Sequence, residues 1–310
     1  MTAAVRGVSD ASADRFDPLN AAMKQAAQVV DRTLDQVLPT AEGLHGRVGD
    51  SMRYAIFAGG KRLRPFLTLA CAGLFGVPQG RAARAAAAIE ALHTYSLVHD
   101  DLPCMDDDDL RRGRPTTHKQ YDEATAVLAG DALLTLAFGI LADPATHPSG
   151  EVRAQLVARL AQAGGHDGMI GGQMMDMRAP DETYGEGEVI LLQRMKTGAL
   201  FEFSCEAGAI LGEAGADDRR RMRDYARDLG LAFQIADDLI DVLGSTEQAG
   251  KTVGKDQEQG KATLISLYGV DRARSEASRL AEQAAQTLAP YGAGAEQLRA
   301  LPFFLLDRAT

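Results

Sequence analysis

Apolar residues recur at three- and four-residue intervals along almost the whole chain, and alternating strand patterns are absent. That spacing lays an apolar stripe along one face of an α-helix. It predicts helices near 18–38, 46–58, 63–75, 80–102, 121–142, 151–165, 187–212, 217–243, 262–287 and 294–308. Breakers fill several gaps: Gly59-Gly60, Gly76-Val77-Pro78, Gly113-Arg114-Pro115 and His147-Pro148-Ser149-Gly150. Pro65 suits the first turn of the third helix, where its missing N–H costs nothing. No shift in composition divides the chain and no short repeat recurs. The expectation is an all-α fold: a flexible tail over 1–16, then one large domain over 17–310 with about ten or more helices. The polar, Gly-rich stretch 244–261 reads as a mobile loop.

Composition narrows the functional classes. Of 310 residues, 45% are apolar, ample for a large core, and the formal net charge is −10. Such a balance argues against a nucleic-acid partner or an anionic membrane surface, but leaves room for local phosphate sites. Cys71, Cys104 and Cys205 fit neither a zinc spacing nor a disulfide framework, which points to a reducing cytoplasm. The N-terminus has no apolar core of a secretory signal. No run of about 18 apolar residues stands out, so no transmembrane helix and no stable membrane association are expected.

Two acidic clusters interrupt this apolar pattern. The first runs Asp100-Asp101-Leu102-Pro103-Cys104-Met105-Asp106 and on through Asp107–Asp109; the second is Asp237-Asp238-Leu239-Ile240-Asp241. Carboxylates at the ends of buried helices are costly unless cations neutralise them. Ile89, His93, Ser96 and Asp100 share a helix face, and Pro103 disfavours helix at Leu102, so Asp106 can fold back toward Asp100. Gln234, Asp237, Asp238 and Asp241 form a polar stripe on an otherwise apolar helix. Hard oxygen donors of this kind suit Mg²⁺ or Mn²⁺ with water and phosphate oxygens completing the shell. Asp107–Asp109 read as solvated surface.

Cations accompany both clusters. Lys61 and Arg64 lie in Gly59-Gly60-Lys61-Arg62-Leu63-Arg64-Pro65 at a helix N-terminus, a favoured place for phosphate. Arg111-Arg112 follows the first acidic run, Lys196-Thr197-Gly198 interrupts an apolar stretch, and Lys251, Lys255 and Lys261 punctuate the polar loop.

Together these motifs resemble the short-chain trans-prenyl diphosphate synthases, most closely the bacterial farnesyl diphosphate synthases. The resemblance covers nearly the whole chain from about residue 20. It is carried by GGKRLRP (59–65), HTYSLVHDDLPCMDDDDLRRGRPTTH (93–118), LAGDALL (128–134), GGQMMDM (171–177), KTGALFEFS (196–204) and GLAFQIADDLIDVLG (230–244), with GK at 250–251 and GKATL at 260–264. It implies helices around a deep central cavity with the two acidic motifs facing each other at its mouth. Three Mg²⁺ ions, for which Mn²⁺ can substitute, would bridge Asp100, Asp106 and Asp237 to an allylic diphosphate, with Asp101 and Asp241 assisting. Arg111, Lys196 and Lys251 would hold that diphosphate, while Lys61, Arg64, His93 and Arg112 would hold isopentenyl diphosphate. Thr197 and Gln234 would stabilise the allylic cation, and the 244–261 loop would close over the phosphates. A homodimer is a further implication.

In synthases of this type an aromatic residue five positions before the first aspartate limits the product to fifteen carbons. Tyr95 holds that offset here, followed by the small Ser96. On an ideal helix it is rotated about 140° from Asp100, so packing decides its role. A geranylgeranyl diphosphate synthase shares the chemistry with a deeper pocket. A terpene cyclase would carry a different second acidic motif, and a non-catalytic helical subunit would not need both motifs intact.

Overall fold

The computed structural model describes residues 15–243 and 263–307. Lys251 and the 244–261 loop lie outside them, as do residues 1–14. The described chain is helical apart from one short hairpin. Helices α1 (Asp17–Val37), α2 (Gly46–Ile56), α3 (Leu63–Leu74) and α4 (Gln79–Asp100) precede the hairpin strands β1 (Leu110–Arg111) and β2 (Arg114–Pro115). There follow α5 (Thr117–Gln120), α6 (Glu123–Ala142), α7 (Gly150–Gly164), α8 (Met169–Arg178) and α9 (Glu186–Gln193). A π-turn over Arg194–Gly198 leads directly into α10 (Ala199–Leu211). The last helices are α11 (Ala216–Leu243), α12 (Leu264–Tyr268), α13 (Val270–Thr287) and α14 (Glu296–Asp307).

Local chemistry sets the boundaries. Asp122 caps α6 by accepting from the Thr125 N–H at 2.7 Å, and Ser149 caps α7. Gly76 follows α3 at φ +66°, in the left-handed region that glycine tolerates best. Three departures from the sequence pattern are informative. The stretch expected as one helix over 262–287 is broken at Gly269, with φ +73°. Helix α8 escaped the periodicity because its glycines and methionines give no contrast between faces. The stretch expected as a regular helix over 187–212 contains the π-turn.

Among the described residues, three large apolar clusters and a small one around Val98, Leu102 and Ala126 fill the interior. One joins α1, α2, α4, α6, α7 and α10 around Leu92, Leu133 and Phe203. A second joins α1, α3, α10, α11 and α14 around Phe66, Phe201 and Tyr225. The third lies between α9, α11, α12 and α13. Phe16 is buried and meets Phe304 edge-on with ring centroids 5.4 Å apart, so packing begins inside the stretch expected as a tail. The membrane expectation also needs correcting: α6 is long and apolar enough to cross a bilayer by composition alone. In this fold its buried face packs against α4, α2 and α7, as a core helix does. All three cysteines are free; Cys71 and Cys205 are buried and Cys104 is exposed.

Candidate active site

The C-terminal end of α4 carries the first acidic cluster. Beyond Asp100 the chain folds back on itself: the Asp106 N–H donates to the Asp100 carbonyl at 2.8 Å and the Asp107 N–H to that of Leu102 at 3.2 Å. The return predicted from Pro103 is thus present and brings Asp106 up to Asp100. Burial, with the like charges of Asp106 and Asp101, raises the Asp100 carboxyl to about 6 against the opposing pull of Lys196 and Arg111. Asp101 has a partner of its own. It is buried and accepts from Arg111 Nε at 2.7 and 2.9 Å and from a terminal Arg111 nitrogen at 2.5 Å. This two-pronged pair fixes the guanidinium at the start of the hairpin. Asp108 lies 3.7 Å from Arg111 and Asp109 pairs with Lys119 at 2.8 Å, on the exposed flank.

A second wall is built where α8 meets the π-turn. Gly171 and Gly172 let the two backbones approach: a Cβ at Gly172 would fall 2.6 Å from Lys196 Cα, and closer still to its nitrogen. One helical turn on, Asp176 receives the Lys196 ammonium at 2.5 Å. The π-turn accommodates one extra residue per turn and so presents Lys196 and Thr197 together. Thr197 Oγ1 donates to Gln234 Oε1 at 3.1 Å, and Gln234 Nε2 donates to Asp238 Oδ1 at 2.9 Å. Asp238 and Asp241 are buried along α11, while Asp237 is half-buried and near enough to Arg64 to act on its charge.

The third wall is cationic. Arg64, at the start of α3, donates to His93 Nε2 at 3.3 Å and lies over the Phe201 ring at 4.9 Å. Among the described residues, its buried Nε has no hydrogen-bond partner. Burial lowers the Arg64 guanidinium to about 10, with Arg112 adding to the shift and Glu90 and Asp237 opposing it. Burial and then Arg64, Arg112, Arg111 and Arg62 hold His93 well below its usual range, so it is neutral. Arg112, at φ +54°, donates to the Gly59 carbonyl, and its guanidinium occupies the space a Cβ at Gly60 would need. Exposed Lys61 sits on the same loop.

Sequence reasoning passed over Arg62, which holds this loop in place. Arg62 is buried at φ +49°, pairs with Glu90 at 2.5 Å and donates to the Ile56 carbonyl at 2.7 Å. It also passed over Asp176, whose signal was an isolated charge in a methionine-rich helix. A small recess open to solvent lies beside the Arg111–Asp101 pair, bounded by Tyr54, Thr94, Arg112 and Thr116. On the opposite flank of α4, Tyr95 is buried, and Ser96 Oγ donates back to the His93 carbonyl at 2.9 Å.

Among the described residues, no three His, Cys, Asp or Glu side chains converge closely enough to hold a metal ion by themselves. The donors fit a hard divalent cation all the same. They are carboxylate oxygens only, and Asp100 beside Asp106 is a like-charged, partly desolvated pair that a cation would relieve. Magnesium commonly takes one or two carboxylates and fills its shell with water and phosphate oxygens.

The family profile described as polyprenyl synthetase matches residues 45–292, which span every wall of this site. The chain belongs to the polyprenyl synthetase family. It is 43% identical over 298 residues to the farnesyl diphosphate synthase of Escherichia coli (strain K12), covering 94% of this chain and 97% of that one. It is 44% identical to the farnesyl diphosphate synthase of Geobacillus stearothermophilus, over 80% of this chain and 84% of the relative. A chloroplastic geranylgeranyl pyrophosphate synthase of Catharanthus roseus is 41% identical over 90% of this chain and 78% of its own length. An FPP/GFPP synthase structure from Zymomonas mobilis superposes with a TM-score of 0.86 at 47% identity, covering 93% of this chain and 99% of that one. The polyprenyl synthetase assignment makes this chain a trans-prenyltransferase of isoprenoid biosynthesis, and agrees with the all-α fold.

Proposed function

We propose that this prenyltransferase condenses isopentenyl diphosphate with dimethylallyl and geranyl diphosphate to give farnesyl diphosphate. The observation that carries the reading is the separation of charge within one site. Asp100 and Asp106 face Lys196 in one part of the site, and Arg64, Arg112 and neutral His93 meet in another. Two diphosphates therefore have two distinct seats.

Asp100, Asp106 and Asp237 would hold Mg²⁺, with Asp101 and Asp241 supporting; three ions per site is the expected number. When bound, Mg²⁺ supplies charge neutralisation for the departing diphosphate. Arg111, oriented by Asp101, and Lys196, oriented by Asp176, add fixed positive charge toward that leaving group. Lys61, Arg64, His93 and Arg112 hold the second diphosphate and so aim the isopentenyl double bond. Neutral His93 is matched to this task, because Arg64 donates to its Nε2 and leaves Nδ1–H as a donor. The allylic C–O bond ionises, the double bond attacks the cation, and a proton leaves to the released diphosphate. The Thr197 and Gln234 oxygens would lower the energy of positive charge on the allylic carbon. Their mutual hydrogen bond, continued to Asp238, holds both dipoles in place before the reaction. Tyr95, with Ser96 beside it, is the floor that stops growth at fifteen carbons.

The reading includes a cytoplasmic homodimer without stable membrane attachment. The homodimer has support in the outer face of α6, where Val127 and Leu128 are exposed and Leu134 and Phe138 only half-buried, a surface suited to a second copy of this chain.

Mass spectrometry of products formed from isopentenyl diphosphate with each allylic starter, with and without Mg²⁺, tests the activity. The expected result is Mg²⁺-dependent farnesyl diphosphate. A twenty-carbon product would move the assignment to geranylgeranyl diphosphate. No incorporation from either starter, or full turnover by a folded Asp237→Ala variant, would sink the reading.

A further inference from the structure

We propose that His99, seated against α6 by the close approach Gly130 permits, positions the Tyr95 ring and thereby sets the hydrocarbon length the enzyme accepts. This rests on the reading of Tyr95 as the floor. Tyr95 and His99 stand one turn apart on α4 and share the face of that helix that meets α6. Their rings meet edge to face, with centroids 5.6 Å apart and planes at 88°. Among the described residues this is the single ring–ring contact Tyr95 makes.

His99 is itself fixed. Its Nε2 lies 3.0 Å from the Val127 carbonyl oxygen, so that nitrogen carries the hydrogen and donates. Asp131 Oδ1 stands 4.0 Å from the same nitrogen. Gly130, between these two contacts, supplies the space. A Cβ there would overlap the imidazole, with Cε1 at 2.9 Å and the two other nearest ring atoms closer. Any larger residue at 130 must push the ring off the Val127 carbonyl and toward Tyr95. The position of Tyr95 is thus transmitted from the α6 backbone through His99.

The test compares full-length Tyr95→Ala, His99→Ala, His99→Phe and Gly130→Ala enzymes by product chromatography. Isopentenyl diphosphate and Mg²⁺ are supplied with either dimethylallyl or geranyl diphosphate. Tyr95→Ala raises the ratio of twenty- to fifteen-carbon product by about tenfold or more, the scale on which apolar pockets discriminate chain length. His99→Ala moves the ratio the same way, because the Tyr95 ring loses its support, and His99→Phe, which keeps a ring there, restores it. Gly130→Ala shortens the product, so geranyl diphosphate accumulates from the dimethylallyl starter. If His99→Ala does not fold, His99→Gln, which keeps a donor but no ring, is expected to lengthen the product instead. Lengthening by Tyr95→Ala with wild-type ratios in the His99 and Gly130 variants overturns the role of His99 alone. Failure of Tyr95→Ala to lengthen the product overturns the floor reading beneath it.

Discussion

Replacing Arg62 with alanine should damage both stability and substrate binding, through separable routes. The Arg62 and Glu90 side chains are 2% and 3% exposed, so removing the cation strands a buried carboxylate. Breaking such a pair typically costs about 3–5 kcal/mol. The Ile56 carbonyl also loses its Arg62 partner. At about 2–4 °C per kcal/mol for a chain of this order of size, the melting temperature should fall by roughly 6–20 °C. The contact to Asp31 adds little, because that carboxylate is 43% exposed and surface pairs are worth about 0–1 kcal/mol. Asp31→Asn is therefore a near-silent control. Substituting both buried partners, Arg62→Met with Glu90→Leu, should recover most of the loss, since neither charge is then stranded. Scanning calorimetry gives the stability arm. Steady-state kinetics of Arg62→Met/Glu90→Leu gives the second arm: the loop bearing Lys61 and Arg64 is no longer pinned, so KM for isopentenyl diphosphate rises more than KM for the allylic substrate. A melting temperature within about 2 °C of wild type for Arg62→Ala, or a double variant no better than the single, would refute the reasoning.

Two further outcomes follow from local geometry. Gly172→Ala drives a methyl into the Lys196 backbone, an overpacking worth about 1–3 kcal/mol; kcat should fall while circular dichroism retains the helical signal, and unchanged kcat would show that the π-turn tolerates displacement. Asp228, raised to about 6 chiefly by burial, ionises at lower pH in the unfolded chain than in the folded one. The wild type therefore loses stability as pH rises from about 4 to 6. Asp228→Asn should melt higher than wild type at pH 7.5, with the gain shrinking toward pH 4; a gain independent of pH would remove ionisation as its cause.

The elements most legible in the sequence were those with strong contrast between faces or with a breaker at their ends. Helix α4 ends where Pro103 required, and Asp106 returns to Asp100 for the same reason. The cations of the 59–64 loop were visible as charges. Their assignment was not complete, because Lys61, Arg62 and Arg64 are equivalent to a pattern of charge, and only the left-handed turn at Arg62 sends that side chain inward to Glu90. The partner of Asp101 was equally illegible. Its neighbour Asp100 faces Lys196 and Asp106, whereas Asp101, one residue and about 100° further round the helix, is occupied by Arg111. Helix α8 and its Asp176 were missed because a stretch rich in glycine and methionine carries little periodic signal.

The π-turn at Arg194–Gly198 also has a consequence for how this chain tolerates length change. One additional residue in a helical turn offsets the phase of everything beyond it by about 100°. Upstream of the offset Val189 points into the cluster with α11 to α13; downstream Leu200, Phe203 and Ala207 point into the cluster with α4 and α6. A single-residue deletion within 194–198 would convert the rod to a regular helix, yet leave one of its halves facing the wrong core. The turn works as a fixed angular coupling between two interiors. Lys196 and Thr197 stand on the coupling itself, so the register of both interiors is read at the atoms proposed to meet the substrate.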